Sequence, residues 1–125
     1  MAPPDHDLLL SKRGAGAWYF AGVQQALQHS GVSWFYAWSG SPADQAIDVP
    51  PGIEFVPMIW GRSAAQDGSI KAAAKYSVLL GFNEPDRPDQ ANMRVEEALE
   101  LWPHLMAAQL RLGSPAPAFT DGSDE

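Results

Sequence analysis

The feature that most constrains the fold is an alternation of short apolar segments with helical segments along the chain. Helical stretches are expected at 21–30, 69–75 and 93–111, the last with apolar residues at helical spacing. Strands that alternate with helices predict an α/β fold with a parallel sheet. The apolar segments show little polar–apolar alternation, which indicates strands buried on both faces. The predicted strands are 14–18, 32–38, 53–60, 77–82 and 112–118.

Two prolines fall inside predicted elements. Pro57 lies within the third strand, where a residue without an N–H predicts a bulge or a bend. Pro103 lies within the longest helix and predicts that this helix is kinked or split in two.

The segment Gly81-Phe82-Asn83-Glu84-Pro85 places polar chemistry at the end of the fourth predicted strand. Parallel α/β barrels carry their catalytic groups at the carboxyl ends of strands. Taken alone, Glu84 is best interpreted as a solvated acid or as a cap for the following turn. Together with Asn83, Pro85 and the apolar run before it, Glu84 is best interpreted as a catalytic acid.

Three tryptophans, Trp18, Trp38 and Trp60, fall at or near the ends of predicted strands. Sugar rings present C–H faces that stack on aromatic planes, so a row of tryptophans at a strand edge suits a glycan platform. The alternative is packing, because tryptophan is usually well buried. Both interpretations stay open for these three residues. Trp34 and Trp102 are predicted to pack in the core.

Composition narrows the functional classes. The net charge is −7 with eight scattered basic residues, which argues against nucleic acid binding. The chain has no cysteine, and His6, His29 and His104 share no metal-ligand spacing, so neither a metal nor a cofactor is expected. No signal peptide and no run of transmembrane length is visible, so no membrane association is expected and the compartment stays open.

Several segments together resemble the N-terminal half of a glycoside hydrolase family 128 catalytic domain. This family comprises retaining β-1,3-glucanases of clan A. The resemblance runs from about residue 12 to 118, and segments in register are more specific than any single motif. The matching segments are 12–14, 32–38, 53–61, 79–86, 90–93, 101–103 and 112–116.

The resemblance implies a (β/α)8 barrel of TIM type, which needs roughly 250 residues. This chain has 125 residues, so about half a barrel is expected, with four to five β/α units. The expected organisation is a flexible leader at 1–11, half of the catalytic domain at 12–118 and a disordered acidic tail at 119–125. Half a barrel leaves unpaired strand edges, which favour self-association.

The resemblance also implies roles for the site residues. It makes Glu84 the acid/base and Asn83 the contact of the sugar 2-hydroxyl, and the tryptophans become the platform for the glucan. The family's nucleophile, a Glu after strand seven, has no match within these 125 residues. The expected function is therefore retaining hydrolysis of β-1,3-glucan by an incomplete catalytic domain. The alternatives are a non-catalytic carbohydrate-binding remnant, or a small α/β binding domain whose Asn-Glu-Pro is coincidental.

Overall fold

The computed structural model describes residues 12–119 and contains five short strands and four α-helices. The strands are β1 (Gly14–Gly16), β2 (Trp34–Tyr36), β3 (Glu54–Phe55), β4 (Val78–Leu80) and β5 (Arg111–Gly113). The helices are α1 (Val23–Ser30), α2 (Arg62–Gln66), α3 (Ser69–Ala72) and α4 (Val95–Met106), with 3-10 turns at Pro42–Gln45 and Ala73–Lys75. None of these helices is both long enough and apolar enough to span a membrane.

All strand pairs are parallel and follow the order of the sequence. Phe35 of β2 lies between Ala15 of β1 and Phe55 of β3, and Leu79 of β4 pairs with Leu112 of β5. A parallel bridge between Met58 and Leu80 connects β4 to the chain that follows β3. The described part of the chain is thus an α/β fold with parallel strands, consistent with part of a barrel.

The third strand is shorter than the predicted segment 53–60. Beyond β3, the Leu80 amide donates to the Pro57 carbonyl at 2.9 Å and the Ile59 amide donates to the Leu80 carbonyl at 3.0 Å. Pro57 itself has no N–H to donate to β4. The parallel pairing of this segment with β4 is therefore reduced to the single bridge between Met58 and Leu80.

An irregularity lies on β2, the neighbouring strand, rather than at Pro57 itself. The Val56 amide donates to the Phe35 carbonyl, and the Met58 amide donates to the Ser39 carbonyl. Between these two bonds the chain after β3 advances by two residues and the chain after β2 by four. The chain after β2 therefore contains a bulge of two extra residues. Trp38 lies in this bulge with φ 53°, in the left-handed region.

Two clusters of buried side chains form the core. The first packs α1 against β1–β3 and includes an edge-to-face pair of Phe35 and Phe55 with centroids 5.3 Å apart. The second packs α4 against the end of β4, where Trp102 meets Phe82 edge-on at 6.0 Å. Trp102 therefore packs in the structure. The largest fully buried side chains are Phe35, Phe82, Ile59, Leu79, Leu105, Val23 and Pro57.

Gly81 lets this second cluster close. A Cβ atom on Gly81 would lie 2.9 Å from Trp102 Cζ3 and 3.0 Å from the Pro115 backbone nitrogen. Any side chain at this position would push α4 or the chain after β5 away from the sheet.

The helices differ from those predicted from the sequence in two details. Pro103 does not split the last helix, since α4 runs unbroken from Val95 to Met106 with this proline inside. The carbonyl left without its partner belongs to Leu99, which is exposed, so water can bond it. Helix α2 was not predicted, because its five residues are too few to show an apolar periodicity.

The expected leader 1–11 and positions 120–125 of the expected tail lie outside the described residues. The one described tail residue is Phe119, whose amide donates to the Asp86 carboxylate at 2.9 Å. Ala118 donates to the other oxygen of the same carboxylate at 2.8 Å.

Candidate active site

A cavity of about 620 Å³ opens at the carboxyl ends of the strands. Each of the first four strands, or its direct continuation, contributes a residue that follows it in the chain. The five side chains proposed from the sequence all line this cavity, and one further side chain joins them. The lining residues are Trp18, Trp38, Trp60, Asn83, Glu84 and Gln90.

Aromatic side chains form one wall of the cavity. Trp18 lies tilted by 58° against Trp38 with centroids 6.2 Å apart, and Tyr36 meets Trp38 edge-to-face at 4.8 Å. Trp18 is 57% exposed and Trp60 is 36% exposed, unusually open for tryptophan. Trp18 and Trp60 are therefore incompletely packed by the described residues and have surface to offer a ligand.

The approach of Trp38 to β1 depends on Gly16. A Cβ atom on Gly16 would lie 2.9 Å from Trp38 Cη2 and 3.0 Å from the Tyr36 ring. The small residue and the left-handed backbone of Trp38 together allow its indole to lie over the strand end.

Glu84 is held by its backbone in an unusual conformation. Its φ of 40° is in the left-handed region, which is unfavourable for a residue with a side chain. Its amide donates to the Ala116 carbonyl and its carbonyl accepts from the Arg87 amide, both at 3.0 Å. These bonds to two separate segments hold the backbone in place and leave the side chain half-exposed at the cavity. Strained backbone of this kind is concentrated at functional sites.

Three hydrogen bonds hold Asn83 in place at the cavity. Its amide donates to the Trp60 carbonyl at 3.0 Å, and its carbonyl accepts from Ala91 at 3.2 Å. Its side-chain Nδ2 donates to Gln90 Oε1 at 3.0 Å. Gln90 was not identified from the sequence, because it lies in a loop whose return to the sheet no local pattern predicts.

The other acidic groups of residues 12–119 lie outside the lining of this cavity. The backbone amides of Ala118 and Phe119 hold the pKa of Asp86 below its usual value, with the bond from Ala118 the larger cause. Asp89 pairs with Arg87 at 2.8 Å, and this bond lowers the pKa of Asp89. Among the described residues that line the cavity, Glu84 alone carries a carboxylate. Residues 12–119 contain no cluster of His, Cys, Asp and Glu that could hold a metal ion.

These features define a parallel β/α domain with a polar and aromatic cleft at the carboxyl edge of its strands, the position of active sites in β/α barrels. The chain belongs to the glycosyl hydrolase catalytic core family, whose family model matches residues 16–125. The resemblance to glycoside hydrolase family 128 is confirmed by solved structures of that family.

One of these structures is a subgroup I endo-β-1,3-glucanase from Amycolatopsis mediterranei in complex with laminaritriose. It is 48% identical with a TM-score of 0.83, and the match covers 91% of this chain and 48% of that one. A subgroup II endo-β-1,3-glucanase from Sorangium cellulosum is 31% identical with a TM-score of 0.69, covering 90% and 48% of the two chains.

A curdlan-specific exo-β-1,3-glucanase from Blastomyces gilchristii, in complex with glucose, is 34% identical with a TM-score of 0.68 and coverages of 85% and 47%. The present chain therefore spans about half the length of the family 128 structures that it matches. No curated protein is significantly similar to it.

Proposed function

We propose that this chain is about half of a (β/α)8 glycoside hydrolase that cleaves β-1,3-glucan with retention of configuration. The observation that carries the proposal is the meeting of Glu84, Asn83 and three tryptophans in one cleft. The family 128 structures, described as β-1,3-glucanases and solved with laminarin oligosaccharides, supply the substrate class. A match that spans residues 16–125 argues against a coincidental Asn-Glu-Pro.

In the proposed reaction Glu84 acts twice. It first donates its proton to the glycosidic oxygen, so that the leaving sugar departs as a neutral alcohol. As the leaving sugar departs, the carboxylate of the nucleophile forms a bond to the anomeric carbon. Glu84 then takes a proton from the water that displaces this carboxylate from the anomeric carbon, and so returns to its protonated starting state. Asn83 binds the 2-hydroxyl, a contact that strengthens as the ring approaches the oxocarbenium-like transition state.

The tryptophans bind the sugar faces on either side of the bond to be cleaved. Trp18 and Trp38 form a continuous aromatic wall, and Trp60, which follows the next strand, lines the same cleft. A neutral glucan suits this site, because the cavity is lined by aromatic side chains and by few charged groups.

Double displacement also requires a nucleophilic carboxylate roughly 5 Å from the acid/base. Glu84 is the single carboxylate in the described lining, so the nucleophile must come from the other part of the barrel. The same observation favours a second candidate function, a carbohydrate-binding remnant that keeps the aromatic wall and Asn83.

We also propose that the chain associates through the side of the sheet next to β5. A groove of about 700 Å³ there is lined by Val95, Leu99, Pro115 and Phe119 among others. Val95 is 72% exposed and Leu99 is 67% exposed, which is costly for apolar side chains in water. Sedimentation should show a dimer that Leu99→Glu dissociates, and a concentration-independent monomer would contradict the proposal.

The test of function compares Glu84→Gln with the parent chain on soluble β-1,3-glucan. Glu54→Gln is the matched control, because Glu54 is an exposed acid at the start of β3, at the other end of the strands. Reducing ends released by the parent and the control, but not by Glu84→Gln, would support the hydrolase.

Laminaritriose affinity decides the remaining outcomes. Binding without hydrolysis in all three proteins would favour the binding remnant or an incomplete enzyme. If the parent chain neither binds nor cleaves, the proposed function is wrong for this chain.

A further inference from the structure

The loop after Glu84 leaves the sheet and returns directly onto Asn83. The Arg87 amide donates to the Glu84 carbonyl at 3.0 Å, and the Gln90 amide donates to the Arg87 carbonyl at 3.1 Å. Two successive turns therefore bring Gln90 back beside the strand end. The following amide, of Ala91, then donates to the Asn83 carbonyl at 3.2 Å and fixes the return point.

The returned end of the loop is anchored. Ala91 and Met93 are buried in the second core cluster, and the Met93 amide donates to the Pro85 carbonyl at 2.7 Å. At the outer end, Arg87 forms two bonds to the Asp89 carboxylate at 2.8 and 2.9 Å. Gln90 is thus positioned by backbone bonds on both sides and is not a free loop side chain.

The bond between Asn83 and Gln90 determines what Asn83 offers to a ligand. A carboxamide has two different ends, and its terminal torsion has a broad preference that does not choose between them. Because Nδ2 donates to Gln90 Oε1, the Asn83 carbonyl oxygen Oδ1 is turned away from Gln90. Both side chains line the cavity, so Oδ1 is the acceptor available there.

We propose that Gln90 is a positioning residue for ligand binding. It orients the Asn83 carboxamide so that Oδ1 accepts a hydrogen bond from a sugar hydroxyl, which then binds as the donor. This inference rests on the proposed function for the identity of the ligand, whereas the orientation of Asn83 depends on the hydrogen bond alone.

The first test measures laminaritriose binding by calorimetry at pH 7 for Gln90→Met and Gln90→Glu. Methionine keeps the length of the side chain and removes the acceptor, so affinity should fall roughly five- to tenfold. Glutamate is ionised and accepts only, so it keeps the bond from Nδ2, and affinity should stay within about twofold. Gln28→Met, on an exposed position of α1, is the matched control and should bind like the parent.

The second test observes Asn83 directly by NMR. Its side-chain NH2 signals, assigned as those missing from Asn83→Asp, should be shifted and protected from exchange in the parent and in Gln90→Glu. Gln90→Met should move them to the values of a solvated carboxamide. A purely structural role for Gln90 would alter many backbone amides and would not be rescued by glutamate.

The two measurements separate the possible failures. A parent chain that does not bind laminaritriose contradicts the proposed function, while the NH2 signals still test the positioning. Unchanged binding or unchanged NH2 signals in Gln90→Met would overturn the inference. Gln90→Glu that behaves like Gln90→Met would also overturn it, because Asn83 would then present its NH2 group to the cavity.

Discussion

The backbone of Glu84 predicts that glycine is better than alanine at this position. A left-handed conformation costs an L-residue on the order of 1–2 kcal/mol, and glycine is free of that cost. Glycine also loses more entropy on folding, roughly 0.5–1 kcal/mol relative to alanine. With φ at 40° the first effect exceeds the second, so Glu84→Gly should be more stable than Glu84→Ala by up to about 1 kcal/mol.

The control pair is the parent chain and Ala26→Gly, at an exposed interior position of α1. There the backbone is helical, so glycine should be less stable than alanine by about 1 kcal/mol. The two sites should therefore show opposite signs when glycine is compared with alanine. The comparison cancels the loss of the Glu84 carboxylate, because both variants at that position lack it.

Urea unfolding gives the measurement, with the midpoint compared at constant slope. A slope near 1–2 kcal/mol per molar makes the expected difference between the two sites roughly 1 M in midpoint. If glycine lowers the midpoint equally at both sites, Glu84 is not strained and the reasoning is refuted. If glycine raises the midpoint relative to alanine at position 84, the backbone there is strained, and holding an acid at this strand end lowers the stability of the fold.

Three further predictions follow from packing and charge. Leu79→Ala should cost about 2–5 kcal/mol in urea unfolding because Leu79 is fully buried, whereas Val49→Ala, at an exposed site, should change little. Arg62 forms a bidentate hydrogen bond to the Glu97 carboxylate, and this bond lowers the pKa of Glu97 in the folded chain. The pair therefore stabilises the fold above the unfolded-state pKa of about 4.3, and this stabilisation is lost as the pH falls through the lower pKa of the folded state. Arg62→Met should therefore lower the urea midpoint at pH 7 and have less effect near pH 3; an equal effect at both would contradict the pairing. Asp86→Asn should speed hydrogen exchange at Ala118 and Phe119, since an NH2 group then faces one of the two amides; unchanged exchange would show that these bonds do not hold the segment.

The sequence was sufficient to predict which strand ends meet. Trp38, Trp60 and Glu84 follow three neighbouring parallel strands, and the carboxyl ends of parallel strands lie on one edge of a sheet. That rule needs only strand positions and direction, both of which apolar runs alternating with helices predict. Errors of one or two residues in strand length, such as those in β1 and β4, leave it intact.

The finer features of the site depend on interactions that no local pattern contains. The bulge at Trp38 is apparent only when β2 is aligned with the chain after β3, through the bonds to Phe35 and Ser39. The position of Gln90 depends on two turns and on the burial of Ala91. Such features arise from pairing across the chain, and a single sequence gives no register for that pairing.

The described part of the chain assembles one side of the proposed glucan cleft from its own contacts. Glu84 is bonded to Ala116 and Arg87, and Asn83 is bonded to Trp60 and Gln90. Ligand recognition needs only these groups and the tryptophans, whereas double displacement needs a second carboxylate at a fixed distance across the cleft. We therefore expect glucan affinity to be a property of this chain by itself, and turnover to require the part of the barrel that supplies the second carboxylate.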